Sequence, residues 1–152
     1  MYLRYRPRHA RTEMRKLAAI LIITLWHAGI SGSSAQQPAS IWDGIYSDAQ
    51  AERGAAAYSA RCASCHAVDL RGNSNAPGLL GVGFMFLWEG RSVGELFTKL
   101  RTEMPSDQPG SLPAQTYMDI LSFILRSNQF PSSEKELTAG ADWLNSVLIT
   151  PK

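Results

Sequence analysis

Cys62-Ala63-Ser64-Cys65-His66 contains the only two cysteines of the chain and its last histidine. Two intervening residues bring both sulfurs within one turn, and the histidine follows directly. A thiol pair at this spacing can add to the two vinyl groups of one haem, with the imidazole nitrogen placed beneath the macrocycle for its iron. Other uses of these residues are weaker. A structural zinc site takes four protein ligands, and beyond residue 35 the chain offers no Cys or His besides these three. A thioredoxin-like redox pair expects a βαβ context that the surrounding pattern does not offer. A disulfide across so short a step would constrain almost nothing. One motif therefore implies one covalently attached haem c.

Working outward, three helices are predicted. The first begins at Ser47, with Gln50 three residues on to complete a capping box, and runs towards Ala60 through an alanine-rich stretch that favours helix strongly. On it Gly54 and Tyr58 share a face, a small gap beside a large aromatic. The second runs from Ser92 to about Arg101, with Glu95 completing another box and Val93, Leu96, Phe97 and Leu100 forming an apolar stripe. The third opens at Ser111-Leu112-Pro113 and continues to about Arg126, with Tyr117, Ile120, Leu121 and Ile124 at the same spacing. Between the first two, Ala67 to Gly90 reads as a glycine-rich loop. A loop that long fits a small domain only where something else fills the core. Within it, Phe84-Met85-Phe86-Leu87-Trp88 is unusually apolar, read here as packing against the haem, with an exposed docking patch as the alternative. Alternation suited to a sheet is not sustained anywhere.

The length of 152 residues favours one domain, and 45% apolar with 18% charged residues describes a globular chain. Charge is distributed unevenly. Residues 1–35 hold six of the fifteen basic residues and one acid, whereas residues 36–152 carry nine basic and twelve acidic ones. The part expected to fold thus lacks the basic patch of a nucleic-acid binder, and that class is set aside. The basic start precedes an apolar run, Leu17 to Trp26, too short for a bilayer span, and then the small residues Gly32-Ser33-Ser34-Ala35. Residues 1–35 read as a secretory signal peptide cleaved near Ala35–Gln36, with an uncleaved N-terminal anchor as the alternative and Met14 as the expected initiator. No transmembrane helix is expected in the mature chain. Residues 36–46 form an N-terminal extension, 47–131 the domain, and 132–152 a C-terminal extension wrapping back over it.

His66 supplies one axial bond to iron. A second strong ligand must be His or Met, and His9 and His27 lie in the signal. Met118 falls within the third helix and Met85 in the apolar run, both positions suited to packing. Met104 differs: it follows the second helix in a loop with Pro105, Pro109 and Pro113, and Pro105 biases it away from helical geometry. Met104 is the expected ligand; the alternative is that it closes the core of the second helix.

These residues carry a family likeness. Over roughly Ser47 to Pro131 the chain resembles a small class I c-type cytochrome. It is most similar to the single-haem cytochromes and haem domains that serve periplasmic quinoprotein dehydrogenases and related oxidases. The resembling segments are Gly54 to Tyr58 before Cys62–His66, Ala76-Pro77-Gly78-Leu79-Leu80-Gly81, Met104-Pro105, and Pro109-Gly110-Ser111-Leu112 leading into Tyr117 to Asn128. The resemblance implies an all-α cytochrome c fold, three main helices and their loops wrapped round one covalent haem. It implies Met104 as sixth iron ligand, and a Pro77 carbonyl that accepts a hydrogen bond from His66. It also implies that Gly54 and Tyr58 pack across the third helix near Leu121 and Ile124.

Iron held by His66 and Met104 has no vacant position for substrate, so the expected activity is one-electron transfer and not catalysis. The expectation is a periplasmic electron carrier between a dehydrogenase or other donor and a terminal acceptor, its partners being redox proteins. Two alternatives stand: a cytochrome subunit of an obligate oxidoreductase complex, and a ligand-binding or peroxidatic haem protein.

Overall fold

The computed structural model describes residues 40–152. Five α-helices follow one another: α1 (Asp48–Arg61), α2 (Ala63–His66), α3 (Gly81–Trp88), α4 (Val93–Glu103) and α5 (Ala114–Ser127). Short 3₁₀ turns occupy Ile41–Asp43 and Asp142–Asn145. Among the described residues the only β pairing is an isolated antiparallel bridge between Ser92 and Leu148. The fold is all-α. The expected signal segment, residues 1–35, lies outside the described residues, as does the start of the N-terminal extension.

The main packing axis is the crossing of α1 on α5. Gly54 makes it possible: a Cβ at this position would lie 1.8 Å from the Asp119 carbonyl oxygen and 3.0 Å from the Ile120 nitrogen, so the two backbones touch directly. One turn on, the Tyr58 ring meets Phe123 at 5.3 Å between centroids. The closest approach therefore falls at Asp119, Ile120 and Phe123, beside the expected Leu121 and Ile124. The apolar face of α5 is buried along its length, from Tyr117 and Met118 through Ile120, Leu121, Ile124 and Leu125. Arg53 of α1 pairs with Asp119 across the same crossing, at 3.2 and 3.3 Å.

The two expected capping boxes differ in outcome. At α4 both halves form: the Ser92 hydroxyl accepts from the Glu95 N–H, and the Glu95 carboxylate accepts from the Ser92 N–H. At α1 only Ser47 caps, accepting from the Gln50 N–H at 3.1 Å. The Gln50 side chain is buried and turned inward, donating to the Leu137 carbonyl at 2.8 Å and accepting from the Leu137 N–H at 2.7 Å. A remote main chain offers the amide two bonds where the cap offers one, and the box is lost.

The reading of Ala67–Gly90 as a loop is corrected by α3. Gly81 and Gly83 disguise a helix whose start is secured from far away: the Asn128 side-chain oxygen accepts from the Gly81 N–H at 2.9 Å, and its amide donates to the Leu79 carbonyl at 2.8 Å. Phe84 and Trp88, one turn apart, are buried on its inner side. Val82 and Phe86 are 88% and 87% exposed on the outer one. The apolar run thus serves packing with one face and faces solvent with the other.

The last twenty residues lie over the helices. Ser133 donates its N–H to the Tyr46 carbonyl, Glu136 meets Arg53 at 2.8 Å, and Leu137, Leu144, Val147 and Ile149 are buried. Main-chain bonds Val93 to Val147, Gly90 to Ile149 and Ile149 to Arg91 fix the end of the strap beside the start of α4.

Candidate haem site

Cys62 closes α1, its N–H donating to the Tyr58 carbonyl at 2.8 Å, and at the same time opens α2. The Cys65 and His66 N–H groups both return to the Cys62 carbonyl, at 3.1 and 2.9 Å, so the motif is wound into one compact turn. Both cysteines are unbridged and half-buried. Burial pushes the Cys62 thiol up to about 11, the neighbouring Arg61 charge opposing the shift.

His66 is buried, and its Nδ1 lies 2.8 Å from the Pro77 carbonyl oxygen. A carbonyl only accepts, so this contact places the proton on Nδ1 and leaves the Nε2 lone pair for a metal. The intervening loop is tied by short main-chain bonds, Gly72 to His66 at 2.9 Å, Asn73 to Ala76 at 3.0 Å and Leu79 to Leu70 at 2.7 Å. Its two sides approach so closely that a Cβ on Gly72 would lie 2.4 Å from the Gly78 nitrogen. Gly72 also sits at φ +75°, where a side chain is strained. The Tyr58 hydroxyl donates to the Ala67 carbonyl at 2.7 Å, and burial pushes its phenol up to about 12.

Met104 caps the C-terminal end of α4 in an extended conformation and is half-buried. Its carbonyl accepts from the Tyr117 hydroxyl at 2.7 Å. The same hydroxyl accepts from the Leu112 N–H at 3.3 Å, and Pro105 beside Met104 is buried. Of the other methionines, Met118 is fully buried on α5 and Met85 half-buried on α3. Sequence reasoning assigned Tyr117 to an apolar stripe and missed its hydroxyl, as it missed the caps made by Asn128. Neither signal is local: each depends on which carbonyl or N–H the fold delivers.

The donors present suit a covalent haem: two unpaired thiols in one turn, an imidazole nitrogen freed by its partner's carbonyl, and a thioether. Leu79, Leu80, Met85, Leu100 and Leu112 are only partly buried against the core, apolar surface of the kind a macrocycle would cover. No group of three or more His, Cys, Asp or Glu able to hold a bare metal ion occurs among the described residues. No helix among them is long and apolar enough to cross a membrane.

Comparison with known proteins gives a family for this chain. The family model described as cytochrome C oxidase, cbb3-type, subunit III matches residues 49–124, from the start of α1 into α5 and across the Cys62–His66 turn and Met104. No curated protein and no solved structure gave a significant match. The match spans half of the chain, and the chain belongs to this family of c-type cytochrome domains, haem electron carriers with covalently bound haem c.

Proposed function

We propose that this protein is a periplasmic one-electron carrier with a single haem, joined through Cys62 and Cys65 and ligated by His66 and Met104. It takes electrons from a dehydrogenase, a quinoprotein dehydrogenase by resemblance, and passes them to a terminal acceptor. The observation that carries the reading is the His66–Pro77 contact at 2.8 Å inside the one-turn motif, which presents Nε2 and both thiols together. The haem, when bound, supplies a one-electron ferric–ferrous couple. The chain's own residues then do three things. Cys62 and Cys65 would hold the group covalently, His66 is held in one tautomer and one orientation for its iron, and Met104 would supply the second protein ligand. Two protein ligands on the iron would leave electron transfer as the activity, and a thioether would favour the ferrous form and raise the potential. Residues 1–35 serve export and residues 47–131 form the haem domain.

The exposed Val82 and Phe86 on α3, a helix without a charged residue, favour a second reading as a subunit of an oxidoreductase complex. Copurification of a stoichiometric partner from detergent-free extracts would select it over a free carrier.

The test of the ligand set is Met104→Ala in the purified holoprotein. The variant should lose the near-infrared iron–sulfur charge-transfer band, bind carbon monoxide in the reduced state and show a lower potential. Met85→Leu and Met118→Leu should keep the band. A native protein that already binds carbon monoxide readily would instead be a ligand-binding or peroxidatic haem protein.

A further inference from the structure

We propose that Tyr117 is a positioning residue that keeps Met104 seated as a ligand by locking both ends of the loop that carries it. The inference rests on Met104 being the axial ligand, as proposed above. Met104 lies just past the last turn of α4, where a main-chain carbonyl has no helical partner. The Tyr117 hydroxyl donates to that carbonyl at 2.7 Å and accepts from the Leu112 N–H at 3.3 Å, so one oxygen atom joins the two ends of the segment. Between these ends residues 106–111 are exposed. Their other main-chain bonds are internal, Gln108 to Pro105, Gly110 to Met104 and Ser111 to Gln108, the last two at 3.4 and 3.3 Å. A further side-chain contact, Arg61 to Gln108, is exposed and 3.3 Å long.

The phenol is a fixed point. Its ring is 1% exposed on α5, and α5 is seated against α1 through the backbone contact at Gly54. Since α1 leads directly into the Cys62–His66 turn, Tyr117 refers the Met104 carbonyl back to the helix from which the turn carrying the other ligand starts. A thioether binds iron weakly enough to exchange with external bases, so the population of the open state is set by how firmly the loop is held. Tyr117→Phe keeps the buried ring and removes both bonds at once. The loop would then open more often, with no atom of the ligand changed.

The experiment uses oxidised holoprotein and imidazole as probe, followed by loss of the near-infrared iron–sulfur band, with thermal unfolding measured in parallel. Tyr117→Phe should show the band without imidazole, yet bind imidazole about tenfold more tightly than the wild type, the effect expected chiefly from losing the 2.7 Å bond to the Met104 carbonyl in the closed state, the 3.3 Å bond from Leu112 contributing little. The control is Tyr46→Phe, which loses a buried phenol-to-carbonyl bond to Phe130 away from the loop. It should unfold earlier, and its imidazole affinity should stay within about twofold of the wild type. An unchanged affinity in Tyr117→Phe would overturn the proposal, as would an equal tightening in Tyr46→Phe, which would mean general loosening. Met104→Ala separates the two levels. If it keeps the band, the ligand assignment fails and this inference with it; if it loses the band while Tyr117→Phe behaves as the wild type, only the positioning role fails.

Discussion

The segment that follows His66 and the segment that follows Met104 are braced by the same group and built in different ways. In each, a buried tyrosine donates to a main-chain carbonyl at 2.7 Å, Tyr58 to Ala67 and Tyr117 to Met104. Around His66 the loop is also closed on itself by main-chain bonds of 2.7 to 3.2 Å and by glycines that let its two sides touch. Around Met104 the internal bonds include longer ones, and the phenol on the next helix supplies the buried remote tie beside the exposed contact from Arg61 to Gln108. Local closure gives the His66 side most of its geometry, with Asn128 adding one remote tie at the Leu79 carbonyl. The Met104 side has its geometry only when α4, the loop and α5 are assembled. Perturbing each side should therefore give an abrupt loss on the first and graded losses on the second.

The largest effect is expected where the assembly is covalent. Replacing Cys62 and Cys65 together with Ser should abolish covalently bound haem, read as the absence of haem stain on denaturing electrophoresis and of the haem increment in the protein's mass. Each single replacement should retain one thioether. Haem persisting through denaturation in the double variant would sink the attachment assignment, and the contrast between an abrupt side and a graded one would go with it.

A smaller but still severe effect is expected at the contact that joins the two sides. Gly54→Ala would put a Cβ 1.8 Å from the Asp119 carbonyl oxygen, backbone against backbone, so no side-chain rotation relieves it. The crossing has to open, at a cost of about 3 kcal/mol, the upper part of the overpacking range. Denaturant unfolding should show a lower midpoint. Because the shift moves α5, and Tyr117 with it, relative to the Cys62–His66 turn, imidazole affinity should rise as well. If stability fell while imidazole affinity stayed at the wild-type value, the Met104 side would not depend on assembly in the way described.

The same contrast explains what could be read from the chain in advance. The Cys62–His66 motif, the Ser92–Glu95 capping box and the stripes of α4 and α5 are short-range patterns, and the fold class follows from them. Met104 stood out because Pro105 bars helix continuation after it. What escaped was long-range. Helix α3 was hidden because its cap is a side chain 47 residues away, and the Gln50 capping half was lost because Leu137 lies 87 residues on. The two roles of the Tyr117 hydroxyl depend on where the Met104 carbonyl and the Leu112 N–H arrive in space. A tyrosine in an apolar stripe looks like packing, and its ring is packing; only the tertiary structure assigns its oxygen.

The smallest expected effect concerns the phenol on the His66 side. Burial is the main cause pushing both Tyr58 and Tyr46 up to about 12, with a nearby carboxylate, Asp69 for Tyr58 and Asp48 for Tyr46, adding to it. An unfolded phenol titrates near about 10. The folded state therefore holds its phenolic protons more tightly than the unfolded state does. The stability this confers is fully present below about pH 10 and is lost as pH rises from about 10 through about 12. Phenolate absorbance should accordingly show Tyr46 and Tyr58 titrating late in the folded protein, and Tyr58→Phe should remove its own late step. The denaturant midpoint should hold steady up to about pH 10 and fall above it, less steeply in Tyr58→Phe than in the wild type. Below that range Tyr58 stays a donor to Ala67, and the His66 side stays braced. If Tyr58 instead ionised at about pH 10, as an unfolded phenol does, its hydroxyl would not be held as the 2.7 Å contact implies. The His66 side would then rest on its main-chain closure alone, and the likeness between the two tyrosine braces would be lost.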